Sequence, residues 1–277
     1  MISRASLGYV HRVAAKSKIV ARLARHVRNQ ANAIVSAHNS EIAGPLSQEN
    51  HGRYNEYALI DLIAPRATNF IDVGANVGNW SARFISRMTR KPLGLLIEPN
   101  ERCFDGLRQR FKDYDDIEMR EMAVSDYTGT ATFYENPTSS VTSSLSPRNY
   151  DSSGSHVRVK KTVRVATLDD EVAKLGWQKI SMIKIDAEGE DFYCLRGARQ
   201  LFMDKAVDFV QFEGAGWPGV TIAAAYYFLL DLGYRVFQLH PSGLREVDIE
   251  YFGDCGSANW LALHDKSPDV GLKISRR

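Results

Sequence analysis

The segment Asn69-Phe70-Ile71-Asp72-Val73-Gly74-Ala75-Asn76-Val77-Gly78-Asn79 constrains the fold more than any other stretch of this chain. A short apolar run ends in an acid, breaks into glycines and enters a segment with helical spacing. A run that is apolar on both faces and leads at once into a helix belongs in a parallel sheet covered by helices. Such sheets bind ligands beyond the carboxyl ends of their strands, at the turn into the helix. Gly74 and Gly78 are expected to let backbone approach a ligand more closely than any Cβ would permit. The N–H groups around Ala75 and Asn76 would then face it. Asp72 is expected to hold an amino group of that ligand, directly or through water; capping of the turn amides is the competing reading. Dinucleotide folds use G-x-G-x-x-G, whereas this turn reads D-x-G-x-x-x-G.

The rest of the chain repeats the strand–helix alternation. Strand-like runs occur at Asn69–Val73, Leu93–Glu98, Ile117–Met122, Ile180–Asp186, Val207–Glu213, Tyr234–His240 and Ala258–His264. Helical patterns fall at Asn55–Ile63, Trp80–Met88, Glu101–Phe111, Asp191–Phe202 and Thr221–Leu232. This predicts a Rossmann-like, seven-stranded, mostly parallel sheet with helices on both faces. Pro241–Ser257 carries no helical pattern, so the last strand is expected to run antiparallel. Thr130–Tyr134 and Val157–Val163 alternate and can pair as a hairpin. Between them the serine-rich stretch 136–156 has no periodicity, and a lid or substrate loop and plain disorder explain it equally well.

Residues 1–45 form a separate unit. Arg4, Arg12, Lys16, Lys18, Arg22, Arg25 and Arg28 precede the first acid, Glu41, and Val20, Leu23, Val27 and Ile34 lie at helical spacing. A basic amphipathic helix can bind an anionic membrane or nucleic acid; packing against its own domain or a partner subunit is favoured here, and a cleavable transit peptide is a further reading. The domain proper is expected over 46–277. A net charge of +2 argues neither for nor against nucleic acid, and none is expected as a partner. Peripheral membrane contact would come only from the basic helix. Cys103, Cys194 and Cys255 are widely spaced, without C-x-x-C, and read as reduced thiols of a cytoplasmic protein. No apolar run reaches membrane-spanning length.

Chemistry concentrates at the strand ends. Glu98, in Leu95-Leu96-Ile97-Glu98-Pro99-Asn100, ends the second strand, where an acid accepts hydrogen bonds from both ribose hydroxyls of an adenosine-containing ligand. Pro99 keeps that end extended. Ala123, Val124 and Ser125 suit an adenine face, and a plain turn explains them almost as well. In Ile183-Lys184-Ile185-Asp186-Ala187-Glu188-Gly189-Glu190, Lys184 and Asp186 share one strand face and end an apolar run. Charges there are costly unless paired or functional.

These motifs in this order, with Thr167-Leu168-Asp169 and Leu195-Arg196-Gly197-Ala198, resemble FkbM-type methyltransferases from about Tyr54 to Glu213. The resemblance implies a class I methyltransferase domain and S-adenosylmethionine as donor. It also implies a hydroxyl acceptor on a sugar, glycolipid or natural product. An alcohol must lose its proton to a base or a metal-bound group. Asp186 is the first candidate, as base or as ligand of a divalent metal that Glu213 would complete. His240 is the alternative base. Tyr54 and Glu56 are expected to close over the methionine end of the cofactor. Trp217 and Trp260 are candidates for the acceptor pocket, with core packing as the commoner fate. A nicotinamide-dependent oxidoreductase and a non-catalytic cofactor-binding or partner-binding domain are the competing readings.

Overall fold

The computed structural model describes residues 55–136, 143–145, 159–213, 222–246 and 259–275. The extension over 1–45, Tyr54, Trp217, Cys255 and most of the serine-rich stretch lie outside the described residues.

Asn55 caps α1 (Glu56–Ile63) by accepting from the Ala58 N–H. There follow β1 (Phe70–Val73), α2 (Asn79–Arg87), β2 (Gly94–Ile97), α3 (Glu101–Phe111) and β3 (Ile117–Arg120). The chain then leaves the main layer to form β4 (Ala123–Val124), β5 (Gly129–Glu135) and β6 (Val159–Ala166). It returns through α4 (Leu168–Leu175), β7 (Ile180–Ile185), α5 (Asp191–Arg196), α6 (Arg199–Met203) and β8 (Val207–Glu213). The last elements are α7 (Ile222–Asp231), β9 (Tyr234–His240), β10 (Gly243–Arg245), β11 (Asn259–His264) and β12 (Ile274–Ser275).

The main sheet has the order β12-β10-β9-β11-β8-β7-β1-β2-β3. From β8 to β3 every pairing is parallel, while β11 runs antiparallel between β8 and β9. All seven expected strands are present, the last of them antiparallel. Among the described residues the sheet has nine strands because β10 and β12 extend its edge; both are too short to show a period in sequence. The expected hairpin is β5 paired antiparallel with β6, with β4 added parallel on its other side.

The strands of the sheet centre are apolar on both faces because helices cover both. On one face Phe70, Leu96, Met182, Phe209 and Leu261 pack with α1, α2 and α3. On the other, Ile71, Val73, Ile183, Val210 and Trp260 pack with α5, α6 and α7. Trp260 is fully buried in that second cluster, so core packing is its fate and not an acceptor pocket. Cys103 and Cys194 are buried and in no disulfide among the described residues.

The expected single helix Asp191–Phe202 is two helices. A Cβ on Gly197 would lie 2.1 Å from the Ser125 carbonyl oxygen, so the chain passes that strand end too closely for any other residue. The new helix start at α6 is capped by Asp169, whose carboxylate accepts from the Gln200 and Leu201 N–H groups. Thr167 caps α4, a helix that the sequence reading does not contain. The Thr-Leu-Asp and Leu-Arg-Gly-Ala motifs thus interlock as structure, behind the strand ends that carry the chemistry.

Candidate functional site

A cleft of about 330 Å³ opens over the carboxyl ends of β1, β2 and β7. Its nature follows from what the strand ends leave exposed. Along one wall run Gly74, Ala75 and Asn76 of the first turn, with Glu98 and Pro99 beyond β2. Beside them Ile97, Met122, Ala123, Val124 and Phe133 make an apolar flank. At the opposite end Glu56, Tyr57, Trp80, Lys184 and Asp186 converge from α1, α2 and β7. Glu188, Glu190 and residues 143–145 line the remaining side.

The glycines serve a purpose other than the expected one. A Cβ on Gly74 (φ +74°) would stand 2.0 Å from the Asp186 carbonyl oxygen. One on Gly78 (φ +78°) would meet Phe111 at 2.4 Å. The space each glycine frees is filled by protein: Gly74 lets the β1 and β7 ends approach, and Gly78 lets α2 start against α3. Gly74 still borders the cleft, whereas Gly78 does not.

Asp72 lies beneath the cleft wall and is not part of its lining. It is fully buried, accepts from Ser81 Oγ at 2.5 Å, and has Lys184 Nζ 3.8 Å from its other oxygen. Burial pushes its pKa up, against the pull of Lys184 and the Ser81 bond. It anchors the floor.

Glu98 is held rigidly. Its two carboxylate oxygens accept from the Asn76 and Asn100 N–H groups, each at 2.8 Å. Asn76 reaches its bond through a left-handed backbone, φ +50°. Burial lifts the Glu98 pKa to about 7, in spite of those two bonds. Asn100 turns away to cap α3 at Arg102 and Cys103, and Ser125 is buried under Gly197; neither lines the cleft.

Lys184 is the hub of the far end. Its ammonium bonds Asp186 at 3.0 Å, faces Asp72, and lies 6.0 Å from the centre of the Trp80 ring. Burial alone would lower its pKa, but the Asp72 and Asp186 carboxylates outweigh that and raise it, so the cation persists at all ordinary pH. Register explains the grouping: Asp72, Lys184 and Gln211 are direct neighbours on β1, β7 and β8 and form one polar row across the sheet. Gln211 Nε2 reaches Glu56 at 3.4 Å and Asn259 at 3.5 Å. A glutamine inside the apolar run of β8 is the signal for this row, since a buried amide needs partners.

Asp191 is a second residue outside the sequence expectations. Buried at the start of α5, it accepts from the Ala187 and Glu213 N–H groups and ties the β7 and β8 ends together. Burial, then repulsion from Asp186, lifts its pKa to about 8. Glu213 ends β8 but does not line the cleft. Among the described residues no three His, Cys, Asp or Glu side chains are grouped to hold a metal ion. His240 stands at the end of β9, separated from β7 by β8 and β11, and bonds Ser242 at 2.7 Å. The sheet order therefore keeps it out of the cleft, and burial with Arg245 lowers its pKa. From the serine-rich stretch, Ser144 pairs with Tyr134 and donates to the Glu188 carbonyl at 3.2 Å. Among the described residues no helix is long and apolar enough to cross a membrane.

Comparison with known proteins matches residues 72–236 to the methyltransferase FkbM domain. A 2-O-methyltransferase, NoeI of Sinorhizobium fredii, is 24% identical over 151 residues, covering 51% of this chain and 62% of the relative. Among solved structures, a methyltransferase FkbM from Methylobacillus flagellatus aligns with TM-score 0.48 and 16% identity over 70% of this chain and 43% of its own. An O-methyltransferase from Bacillus cereus in complex with SAH aligns with TM-score 0.39 and 10% identity, over 85% of this chain and 88% of its own. The family match spans more than half of the chain and contains the turn, Glu98 and the Lys184–Asp186 pair. This chain belongs to the FkbM methyltransferase family.

Proposed function

We propose that the enzyme takes its methyl group from S-adenosylmethionine and delivers it to a hydroxyl of a sugar, glycolipid or natural-product acceptor. The observation that carries this reading is the pairing, in one cleft, of a buried carboxylate at one end with an ion-paired Lys–Asp at the other. Glu98 has lone pairs left after its two backbone bonds, and its raised pKa marks a carboxylate short of donors. Ribose hydroxyls supply them. The apolar flank of Ile97, Met122, Val124 and Phe133 fits an adenine ring. The amino-acid end of the donor then falls toward Trp80 and Lys184.

When bound, S-adenosylmethionine supplies an electrophilic methyl group on a sulfonium sulfur. The protein's task is to bring an acceptor oxygen in line with it, and positioning provides much of the rate. Asp186 accepts from Lys184 through one oxygen and has the second to orient the acceptor hydroxyl. Lys184 fixes that orientation from below. The S. fredii relative's name, a 2-O-methyltransferase, supports a hydroxyl acceptor. The basic residues within 1–45 would hold the enzyme near an anionic membrane if the acceptor is a glycolipid.

Calorimetry on the purified full chain tests the donor. S-adenosylhomocysteine should bind with NADH failing to compete; NADH binding without S-adenosylhomocysteine binding would sink the proposal. Asp186→Ala should then lower methyl transfer by about 100-fold or more. An unchanged rate would remove Asp186 from the chemistry and leave the donor assignment standing.

A further inference from the structure

Glu56 enters the cleft from the first turn of α1, so its side chain comes from outside the sheet, over the Asp72–Lys184–Gln211 row. Its surroundings differ from those of Asp186. Asp186 accepts a charge-assisted bond from Lys184 at 3.0 Å, whereas among the described residues Glu56 takes one long bond, 3.4 Å, from the neutral amide of Gln211. That amide is almost wholly buried and is itself steadied by Asn259 from β11. A carboxylate that borders a cleft and is held by a neutral donor keeps lone pairs for an incoming proton, while the Lys184 ammonium keeps it ionised until then.

We infer that Glu56 accepts the proton of the acceptor hydroxyl, and that Gln211 is the residue that positions it. The inference rests on the reading of the cleft as an O-methylation site. In the step the acceptor O–H bond breaks while its oxygen bonds the methyl carbon. The C–S bond breaks with its electron pair returning to sulfur, which leaves as a neutral thioether. The proton passes to a Glu56 oxygen and from there to solvent, since Glu56 is only partly buried.

The charges facing Glu56 agree with this role. Burial raises its pKa most; Lys184 of β7 and the Gln211 bond of β8 pull it down, while Asp186 just beyond β7 and Asp72 of β1 push it up. The balance is upward, toward the neutral range in which a proton acceptor works best. Lys184 stays charged throughout, so it stabilises the carboxylate without competing for the proton.

Two measurements on the full chain test the assignment. In the first, glutamate side-chain carboxyls are labelled with carbon-13 and titrated by NMR, the Glu56 signal being the one lost in Glu56→Gln. Its midpoint should lie above the ordinary glutamate value of about 4.3, and Gln211→Leu should move it higher still, because the bond that favours the carboxylate is gone. In the second, methyl-labelled S-adenosylmethionine is incubated with the total glycolipid and oligosaccharide extract of the source cells. Glu56→Gln should lower transfer by about 100-fold or more at saturating S-adenosylmethionine. Gln211→Leu should shift the acid limb of the pH profile upward with the carboxyl midpoint. A Glu56 midpoint at the ordinary value, or full transfer by Glu56→Gln, overturns the inference while leaving the donor site intact. Wild-type protein that binds no S-adenosylhomocysteine overturns both.

Discussion

Replacing Glu98 by glutamine separates its charge from its shape. Burial moves this carboxyl from 4.5 to about 7 in the folded protein, a difference worth about 3 kcal/mol between its protonation states. The sign follows from linkage: the folded state holds the proton more tightly, so folding gains from Glu98 below pH 4.5 and loses that gain as pH rises through 7. Glu98→Gln has no such slope. It has one acceptor oxygen where wild type has two, so either the Asn76 or the Asn100 N–H loses its partner, at a cost of about 1–3 kcal/mol. The variant should therefore be the less stable protein at pH 5 and draw level or pass wild type by pH 8. Urea unfolding at a series of pH values reads this directly. Ligand binding should move the other way. Ribose hydroxyls favour the carboxylate, so wild-type affinity for S-adenosylhomocysteine should rise by up to about tenfold from pH 6 to pH 8, with weak, flat binding in the variant. Parallel stability curves for the two proteins, together with pH-independent binding by wild type, would refute the reasoning.

Two further perturbations probe the floor of the site. Gly74→Ala places a methyl 2.0 Å from the Asp186 carbonyl oxygen and forces alanine into the left-handed region, which alone costs about 1–2 kcal/mol; the clash should take the loss in thermal and urea unfolding beyond about 3 kcal/mol and abolish S-adenosylhomocysteine binding. A fully stable, binding-competent variant would mean that the strand ends have room to spare. Lys184→Met leaves Asp72 buried without a cation and should cost about 3–5 kcal/mol, of which Asp72→Asn in the same chain should return a substantial part. Additive effects of the two substitutions would show that Asp72 and Lys184 do not act as a pair.

The strands and most helices were legible because burial on both faces, or on one, leaves a period in the residues. The run Phe70–Val73 is apolar since helices cover both sides of the sheet, and Glu101–Phe111 carries a stripe since one side meets it. The family motifs were legible as well, though their purposes were not. Gly74 and Gly78 read as space for a ligand, yet β7 and α3 fill that space. Asp72 read as a ligand contact and sits beneath the wall. A residue's type shows that a position is constrained; it does not show which neighbour imposes the constraint.

From its sequence alone this chain determined an alternating α/β domain, a turn that is not a dinucleotide turn, and the placing of Glu98, Lys184 and Asp186 at one edge of the sheet. These are local facts, set by periodicity and by the cost of placing charges at the ends of apolar strands. Only the tertiary structure decided that His240 is kept away by two intervening strands, that Gln211 stands beside Lys184 in the neighbouring strand, and that Glu56 reaches over both from α1. Strand order and register join residues more than a hundred positions apart. No local spacing records that geometry, because the free energy that selects it comes from packing the whole sheet at once.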